Sequence, residues 1–216
     1  MKEIFPGVFR SGKDLLTVNL VPGKRVYGEK LLAKGRQEFR EWVPQRSKLA
    51  AAIMNGLQNM PMKQGSRILY LGAASGTTPS HVSDIVGHDG IVYALEFSER
   101  PFRSLIELAR TRKNIAPLLA DARKTEDYYW VEACDILYCD IADPQQTEIA
   151  IRNFEEFIAE GFLLLSIKSQ SIDVVKEPLR VYEEEKRKLE KAGFDVLELI
   201  DLEPYEEKHC FIVAKK

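Results

Sequence analysis

The chain has 216 residues, of which 45% are hydrophobic and 30% are charged. This composition excludes a disordered chain and favours one domain with a small appendage. No apolar run is long enough to cross a bilayer, and Met1–Pro6 lacks the apolar core of a signal peptide, so we expect an intracellular protein without a membrane partner.

The first part of the chain predicts a small antiparallel β region over residues 1–45. Turn signals at Ser11–Lys13 and Pro22–Gly23 separate short runs of strand-forming residues. These runs are Ile4–Phe5, Gly7–Arg10, Leu15–Val18 and Arg25–Gly28. Such a region is too small for a firm core of its own, so we expect it to pack on a domain formed by residues 46–216.

A basic stretch spans residues 24–48. Because the formal net charge of the whole chain is −2, a nucleic-acid partner would need a local patch of this kind. The stretch has five more basic than acidic side chains, and two interpretations stay open: an RNA-facing patch or an ordinary solvated face. The basic residues are Lys24, Arg25, Lys30, Lys34, Arg36, Arg40, Arg46 and Lys48, and the acidic ones are Glu29, Glu38 and Glu41.

A helix is predicted to begin near Ser47, after Pro44. Leu49, Ile53 and Leu57 follow at positions i, i+4 and i+8, which places one apolar stripe on one helix face. This helix precedes the first strand of the larger domain.

The segment Arg67–Thr78 predicts a buried strand, a glycine turn and the start of a helix. Three apolar residues form the strand, and Gly72 and Gly76 allow a tight turn and close approach to a ligand. Thr77 and Thr78 are candidates to cap the helix, and Pro79 suits its first turn. The segment fits either a nucleotide site or an ordinary strand-to-helix connection.

Glu96 favours the nucleotide site. It lies at the end of the apolar strand predicted within Val92–Phe97, about 20 residues past the glycine turn. A carboxylate at this spacing can accept ribose hydroxyls. The turn lacks the middle glycine of a dinucleotide fingerprint and the lysine of a phosphate loop. A ligand with a nucleoside but no phosphates fits better, and S-adenosylmethionine is the common one.

The remaining chain alternates between strand and helix patterns. The pattern predicts a mostly parallel sheet with helices on both faces and an antiparallel hairpin at the end. Predicted helices cover about 78–86, 99–112, 145–159 and 176–192, and predicted strands about 91–96, 115–120, 135–139, 161–167, 194–200 and 209–214.

Charged residues end four of the predicted strands. Because ligands bind at the carboxyl ends of such strands, we expect Glu96, Asp121, Asp140 and Lys168 to share one rim. There Asp121 suits an adenine amino group and Asp140 a sulfonium cation. Three cysteines lie in apolar runs without metal-ligand spacing and are expected to be buried thiols, with no metal site: Cys134, Cys139 and Cys210.

The block Tyr70–Gly87 resembles the signature of the fibrillarin family in its short archaeal form. The resemblance spans nearly the whole chain and continues through Pro44–Ala52, Glu96–Ser98, Asp121–Arg123, Ser166–Lys168 and Leu202–Glu206. It implies a class I methyltransferase fold and transfer of a methyl group from S-adenosylmethionine to ribose 2′-hydroxyls of rRNA and tRNA. It also implies the partners, namely a Nop-domain scaffold protein, a kink-turn-binding ribosomal-type protein and box C/D guide RNA, and a cytoplasmic location in an archaeal cell.

The resemblance also implies the site residues. The catalytic set falls on Lys48, Asp140, Lys168 and His209. Because a ribose hydroxyl is a poor nucleophile, we expect Lys168 to be the base that takes its proton. Relatives often carry Gln where this chain has Asp143, which departs from the family pattern. Cofactor contacts fall on Gly72, Ala74, Gly76, Thr77, Thr78, Glu96, Phe97, Asp121, Ala122, Asp140, Ile141, Ala142, Asp143 and Gln146.

Two other functions stay open on the residues alone. A small-molecule O-methyltransferase could share the fold, because fold does not determine substrate, although the basic stretch argues against it. A non-catalytic RNA-binding scaffold could keep a relic of the pocket, although the intact set of Lys, Asp, Lys and His argues against that.

Overall fold

The N-terminal part of the molecule is a five-stranded antiparallel sheet. The computed structural model describes all 216 residues. The strands lie in the order β1-β2-β3-β5-β4. Their bounds are β1 (Lys2–Phe5), β2 (Val8–Ser11), β3 (Asp14–Val18), β4 (Leu31–Lys34) and β5 (Gln37–Glu41).

The prediction of a strand at residues 25–28 is wrong, because that segment is a loop. The Glu29 carboxylate accepts backbone N–H bonds from Val26, at 3.0 and 3.1 Å, and from Tyr27, at 2.9 Å. These bonds use the donors that a strand would offer to a neighbour. The last hairpin is instead formed by β4 and β5, which turn at Gly35, where φ is +62°.

The second sheet has seven strands in the order β11-β12-β10-β9-β6-β7-β8. The strands from β6 to β10 are parallel, and β12 runs antiparallel to both β10 and β11, which confirms the predicted sheet and terminal hairpin. The bounds are β6 (Arg67–Leu71), β7 (Ile91–Glu96), β8 (Ile115–Leu119), β9 (Ile136–Cys139), β10 (Phe162–Lys168), β11 (Asp195–Asp201) and β12 (His209–Lys215).

Helices cover both faces of this sheet. Alternate residues of β6 enter different apolar clusters, Ile68 and Tyr70 one of them and Leu69 and Leu71 the other, because successive strand residues point to opposite faces. None of the helices combines the length and apolar character that a bilayer crossing requires. Their bounds are α1 (Lys48–Met54), α2 (Thr77–Val86), α3 (Glu99–Thr111), α4 (Gln146–Phe157), α5 (Ser169–Ile172) and α6 (Pro178–Lys191).

The N-terminal residue of α2 differs from the prediction. Gly76 is the N-cap, with φ at +93°, and no side chain caps the helix. Thr77 and Thr78 are therefore the first helical residues rather than caps. A Cβ at Gly76 would overlap the Leu108 side chain, so glycine meets both the backbone and the packing requirement there.

A buried charge network joins the N-terminal sheet to α2. The Arg40 guanidinium lies 2.6 Å from Glu29 and 2.8 Å from Asp84, and Arg112 lies 2.6 Å from the other Asp84 oxygen. All four side chains are almost fully buried. Arg40 therefore does not belong to a surface patch, which corrects its place in the predicted basic stretch.

Candidate active site

An open cavity of about 370 Å³ lies at the carboxyl ends of the parallel strands. Loops after β6, β7, β8 and β9 form its wall, and Lys168 closes one side. Most of the predicted cofactor contacts line it, namely Gly72, Ala74, Glu96, Phe97, Asp121, Ala122, Asp140, Ile141, Ala142 and Asp143.

Glu96 ties the glycine turn to the end of β7. One carboxylate oxygen accepts the Ala74 N–H at 2.9 Å, and the other accepts the Ser98 N–H at 2.8 Å. Glu96 is 7% exposed and lines the cavity. Because each carboxylate oxygen can accept more than one hydrogen bond, Glu96 can still receive ribose hydroxyls.

Gly72 is required by the protein's own packing. Its φ is +82°, and an added Cβ would lie 2.6 Å from the Asp140 carbonyl oxygen. The turn after β6 therefore approaches the end of β9 more closely than any other residue would permit. This contact brings Asp140 to the edge of the cavity.

Arg123 is a cavity residue that we did not predict. Its Nε lies 3.0 Å from both Asp121 carboxylate oxygens, and a terminal nitrogen lies 2.6 Å from one of them. Hydrogen bonding from Arg123 lowers the pKa of Asp121 and keeps this carboxylate ionised. The available signal was the position of Arg123 two residues after a strand-end acid. Leu95 and Ile149 also line the cavity and were not predicted.

Three of the four predicted catalytic residues meet at Asp140. The Lys168 Nζ lies 2.9 Å from Asp140 Oδ1 and donates to the Asp140 carbonyl at 2.9 Å. The Lys48 Nζ lies 3.3 Å from the same carboxylate. Lys48 begins α1, which Ser47 caps by accepting the Ala50 N–H. One carboxylate thus holds two ammonium groups at the cavity edge.

His209 stands beside this group. It begins β12 directly opposite Lys168 in the antiparallel register. Its Nδ1 lies 2.6 Å from the Glu207 carbonyl, which orients the ring. The strand pairing therefore places His209 next to Lys168, at the end of the sheet where Lys48 and Lys168 meet Asp140, and the roles of all four residues remain predictions.

Four predicted cofactor contacts lie outside the cavity wall. Gly76 packs against Leu108, and Thr77 lines a separate cavity. Thr78 is buried and donates to Ser47 Oγ at 3.0 Å. Gln146 is fully buried, where its oxygen accepts the Lys168 N–H at 3.3 Å and its amide nitrogen lies 3.2 Å from the Asp143 carbonyl.

The thiol nearest the site is buried and protonated at neutral pH. Cys139 ends β9 and is fully buried, and burial raises its pKa to about 12. Cys134 and Cys210 are buried and free as well, so the prediction of three buried thiols is confirmed.

The cavity is acidic and partly apolar. Its lining carries two more carboxylates than cations, which favours a positively charged ligand and disfavours phosphates. Leu95, Phe97, Ile141 and Ile149 supply apolar surface for a flat ring. These features fit S-adenosylmethionine, with its adenosine and its sulfonium. The carboxylates are Glu96, Asp121, Asp140 and Asp143, and the cations are Arg123 and Lys168.

Comparison with known proteins extends over the whole chain. The family model described as fibrillarin matches residues 1–216. A fibrillarin-like rRNA/tRNA 2′-O-methyltransferase of Methanopyrus kandleri is 50% identical over 215 residues, which cover 98% of this chain and 93% of the relative.

Solved structures give the same result. Methanococcus jannaschii fibrillarin, a pre-rRNA processing protein, matches with a TM-score of 0.94 at 44% identity, covering 99% of this chain and 96% of that chain. Aeropyrum pernix fibrillarin, in complex with natively bound S-adenosyl-L-methionine, matches with a TM-score of 0.87 at 46% identity, covering 93% and 88%. A fibrillarin/Nop5p complex matches with a TM-score of 0.90 at 42% identity, covering 99% of both chains.

Proposed function

The chain belongs to the fibrillarin family, and from this premise we propose that it is an S-adenosylmethionine-dependent RNA 2′-O-methyltransferase. It acts on the ribose of rRNA and tRNA. The observation that supports this proposal most directly is the Asp140 carboxylate, which lies between Lys48 and Lys168. It lies at the edge of a cavity whose acidic lining suits a nucleoside ligand without phosphates.

Within the cavity, each wall residue has a separate task. Glu96 accepts the hydroxyls of the cofactor ribose, Asp121 faces the adenine amino group, and Phe97 covers the ring. The bound S-adenosylmethionine supplies an electrophilic methyl group on a sulfonium. Asp140, at the opposite side of the wall, favours that positive charge.

The residues at the rim position the ribose 2′-hydroxyl of the RNA and remove its proton. A ribose 2′-hydroxyl is a poor nucleophile at neutral pH, so a positioned base helps its reaction. Once the Lys168 ammonium has released a proton to solvent, the neutral amine at Nζ accepts the hydroxyl proton, and Asp140 holds that amine in place. Lys48 and His209 position the ribose and its neighbouring phosphate.

A Nop-domain scaffold protein is the partner that the similarity to the fibrillarin/Nop5p complex supports. A kink-turn-binding ribosomal-type protein and a box C/D guide RNA complete the proposed particle, in which the guide selects the nucleotide. With a net charge of −2, the isolated chain should bind RNA weakly. We also propose a cytoplasmic location.

The test is methyl transfer from labelled S-adenosylmethionine to a guide-matched RNA. The chain should be active with the scaffold protein, the kink-turn protein and the guide RNA, and inactive when the scaffold is left out. Methylation of small alcohols or phenols without transfer to any RNA would contradict the proposal.

A further inference from the structure

A second cavity, of about 510 Å³, lies on the other side of the glycine turn. Its wall combines the loop after Pro22, the turn before α1, the glycine turn and α3. Ala74 lines the first cavity, whereas the next residue, Ser75, lines the second. We call it the basic cavity, and its functional groups are Lys24, Arg25, Tyr27, Arg46, Ser75 and Thr77.

The basic cavity has an excess of positive charge at its surface. Lys24, Arg25 and Arg46 are exposed cations of its wall. The acid of the wall, Glu107, is engaged by Arg110 at 2.9 Å. The hydroxyls of Ser75 and Thr77 add neutral hydrogen-bond donors. Guanidinium groups together with hydroxyls are the usual contacts of a nucleic-acid backbone.

The two arginines are held in position before any ligand arrives. Arg25 Nε donates to the Glu29 carbonyl at 3.0 Å, and the Arg46 guanidinium lies 5.8 Å from the centre of the Tyr27 ring. The Tyr27 hydroxyl lies 2.8 Å from His81 Nε2. Contacts with the buried charge network thus hold Tyr27, and through it Arg46, in position. Side chains that are already ordered lose less conformational entropy when an anion binds.

The basic cavity adjoins the catalytic rim along the chain. Arg46 faces the basic cavity, and Lys48, two residues later, reaches Asp140 at 3.3 Å. The Cα atoms of residues two apart are separated by at most about 7 Å. Arg46 and Lys48 thus extend from one short stretch of backbone to the two adjoining cavities, and an RNA strand that crosses this stretch can contact both.

We propose that the basic cavity holds a phosphate of the RNA strand beside the nucleotide that is methylated. This inference rests on the proposed function. Lys24, Arg25 and Arg46 bind the phosphate oxygens, and Ser75 and Thr77 donate to the same group. The basic stretch of the sequence thus contains a buried structural arginine, Arg40, as well as three residues of this cavity, Lys24, Arg25 and Arg46.

The test uses the assembled complex with the double variant Arg25→Gln/Arg46→Gln and, as matched control, Arg187→Gln on the exposed side of α6. The double variant should raise the RNA KM about tenfold. It should also lower the salt dependence of RNA binding by about one charge for each arginine. The single-turnover rate at saturating RNA, the cofactor affinity and the thermal midpoint should match the control. Arg46→Lys, which keeps the charge, should recover part of the loss.

Two results would overturn the inference while the wild type still methylates RNA. One is an RNA KM and salt dependence of the double variant equal to those of Arg187→Gln. The other is loss of binding to the scaffold protein, measured without RNA, at unchanged RNA KM, which would make the basic cavity a protein-docking surface. Absence of transfer by the wild-type complex would instead remove the proposed function itself.

Discussion

The Lys168 ammonium contacts Asp140 twice, at 2.9 Å to the carboxylate Oδ1 and at 2.9 Å to the backbone carbonyl. The two residues lie at the ends of neighbouring parallel strands, β10 and β9. Because the second contact is to the backbone, it holds Lys168 Nζ in place independently of the orientation of the Asp140 carboxylate. This geometry is suited to a side chain that exchanges a proton at a defined point.

Replacement of Lys168 by arginine distinguishes two roles of this residue, a base that accepts a proton and a permanent positive charge. Arginine keeps the charge but does not deprotonate in proteins. If Lys168 takes the hydroxyl proton, both Lys168→Arg and Lys168→Ala should lose about 10²–10⁴-fold in single-turnover rate at unchanged cofactor affinity. A near-wild-type rate for Lys168→Arg would show that this residue only positions the hydroxyl, and alignment would then be the source of catalysis.

Gln146 should affect the reaction rate rather than cofactor binding. Its buried amide joins the Lys168 backbone to the Asp143 carbonyl, away from the cavity. Gln146→Ala should therefore lower the single-turnover rate, whereas calorimetry should show an S-adenosylmethionine affinity close to that of the wild type. Gln145→Ala, at the exposed neighbouring residue, is the control. A large loss of cofactor affinity in Gln146→Ala alone would instead support the contact predicted from the sequence.

The substitution Glu96→Gln should directly weaken binding of the cofactor. The amide keeps the size of the side chain, but it replaces one acceptor with a donor near the N–H groups of Ala74 and Ser98. Loss of charged hydrogen bonds of this kind costs about tenfold or more in affinity. Calorimetry on the isolated chain checks this, with Glu99→Gln on the exposed face of α3 as control. Equal affinity in the two variants would contradict the ribose assignment.

His81 should make stability fall in mild acid. Burial, together with Arg40 and Arg112, holds the pKa of His81 well below its usual value of 6.5. The unfolded chain therefore binds a proton first, and stability is lost as pH falls below about 6.5, at up to about 1.4 kcal/mol per pH unit. Urea unfolding at several pH values should show this slope in the wild type and in His88→Gln, and a smaller slope in His81→Gln. An unchanged slope in His81→Gln would contradict the assignment.

The main sheet and most of the site were predictable because their signals are local. Apolar runs mark the strands, and Glu96, Asp121, Asp140 and Lys168 are each the last or next residue of a run. In a parallel sheet those ends meet by topology alone, so position along the chain translates into position in space.

The placements that the sequence did not predict share a different cause, which is dependence on partners far along the chain. Arg40 is internal because Glu29 and Asp84 neutralise it. Gln146 faces Lys168 rather than the cavity because α4 packs under β10. The spacing of residues in the sequence does not predict these long-range contacts. Each contact determines whether a polar side chain lies at the surface, in the core or near a ligand.

The most direct test of the account is methyl transfer by the assembled complex to two guide-matched RNAs that differ only in one atom, the 2′-oxygen of the target nucleotide. The account predicts one methyl group on the ribose RNA, none on the 2′-deoxy RNA, and none on either with Lys168→Ala within the same time. Equal labelling of the ribose and 2′-deoxy RNAs would show that the methyl group goes to a base, and would contradict the account.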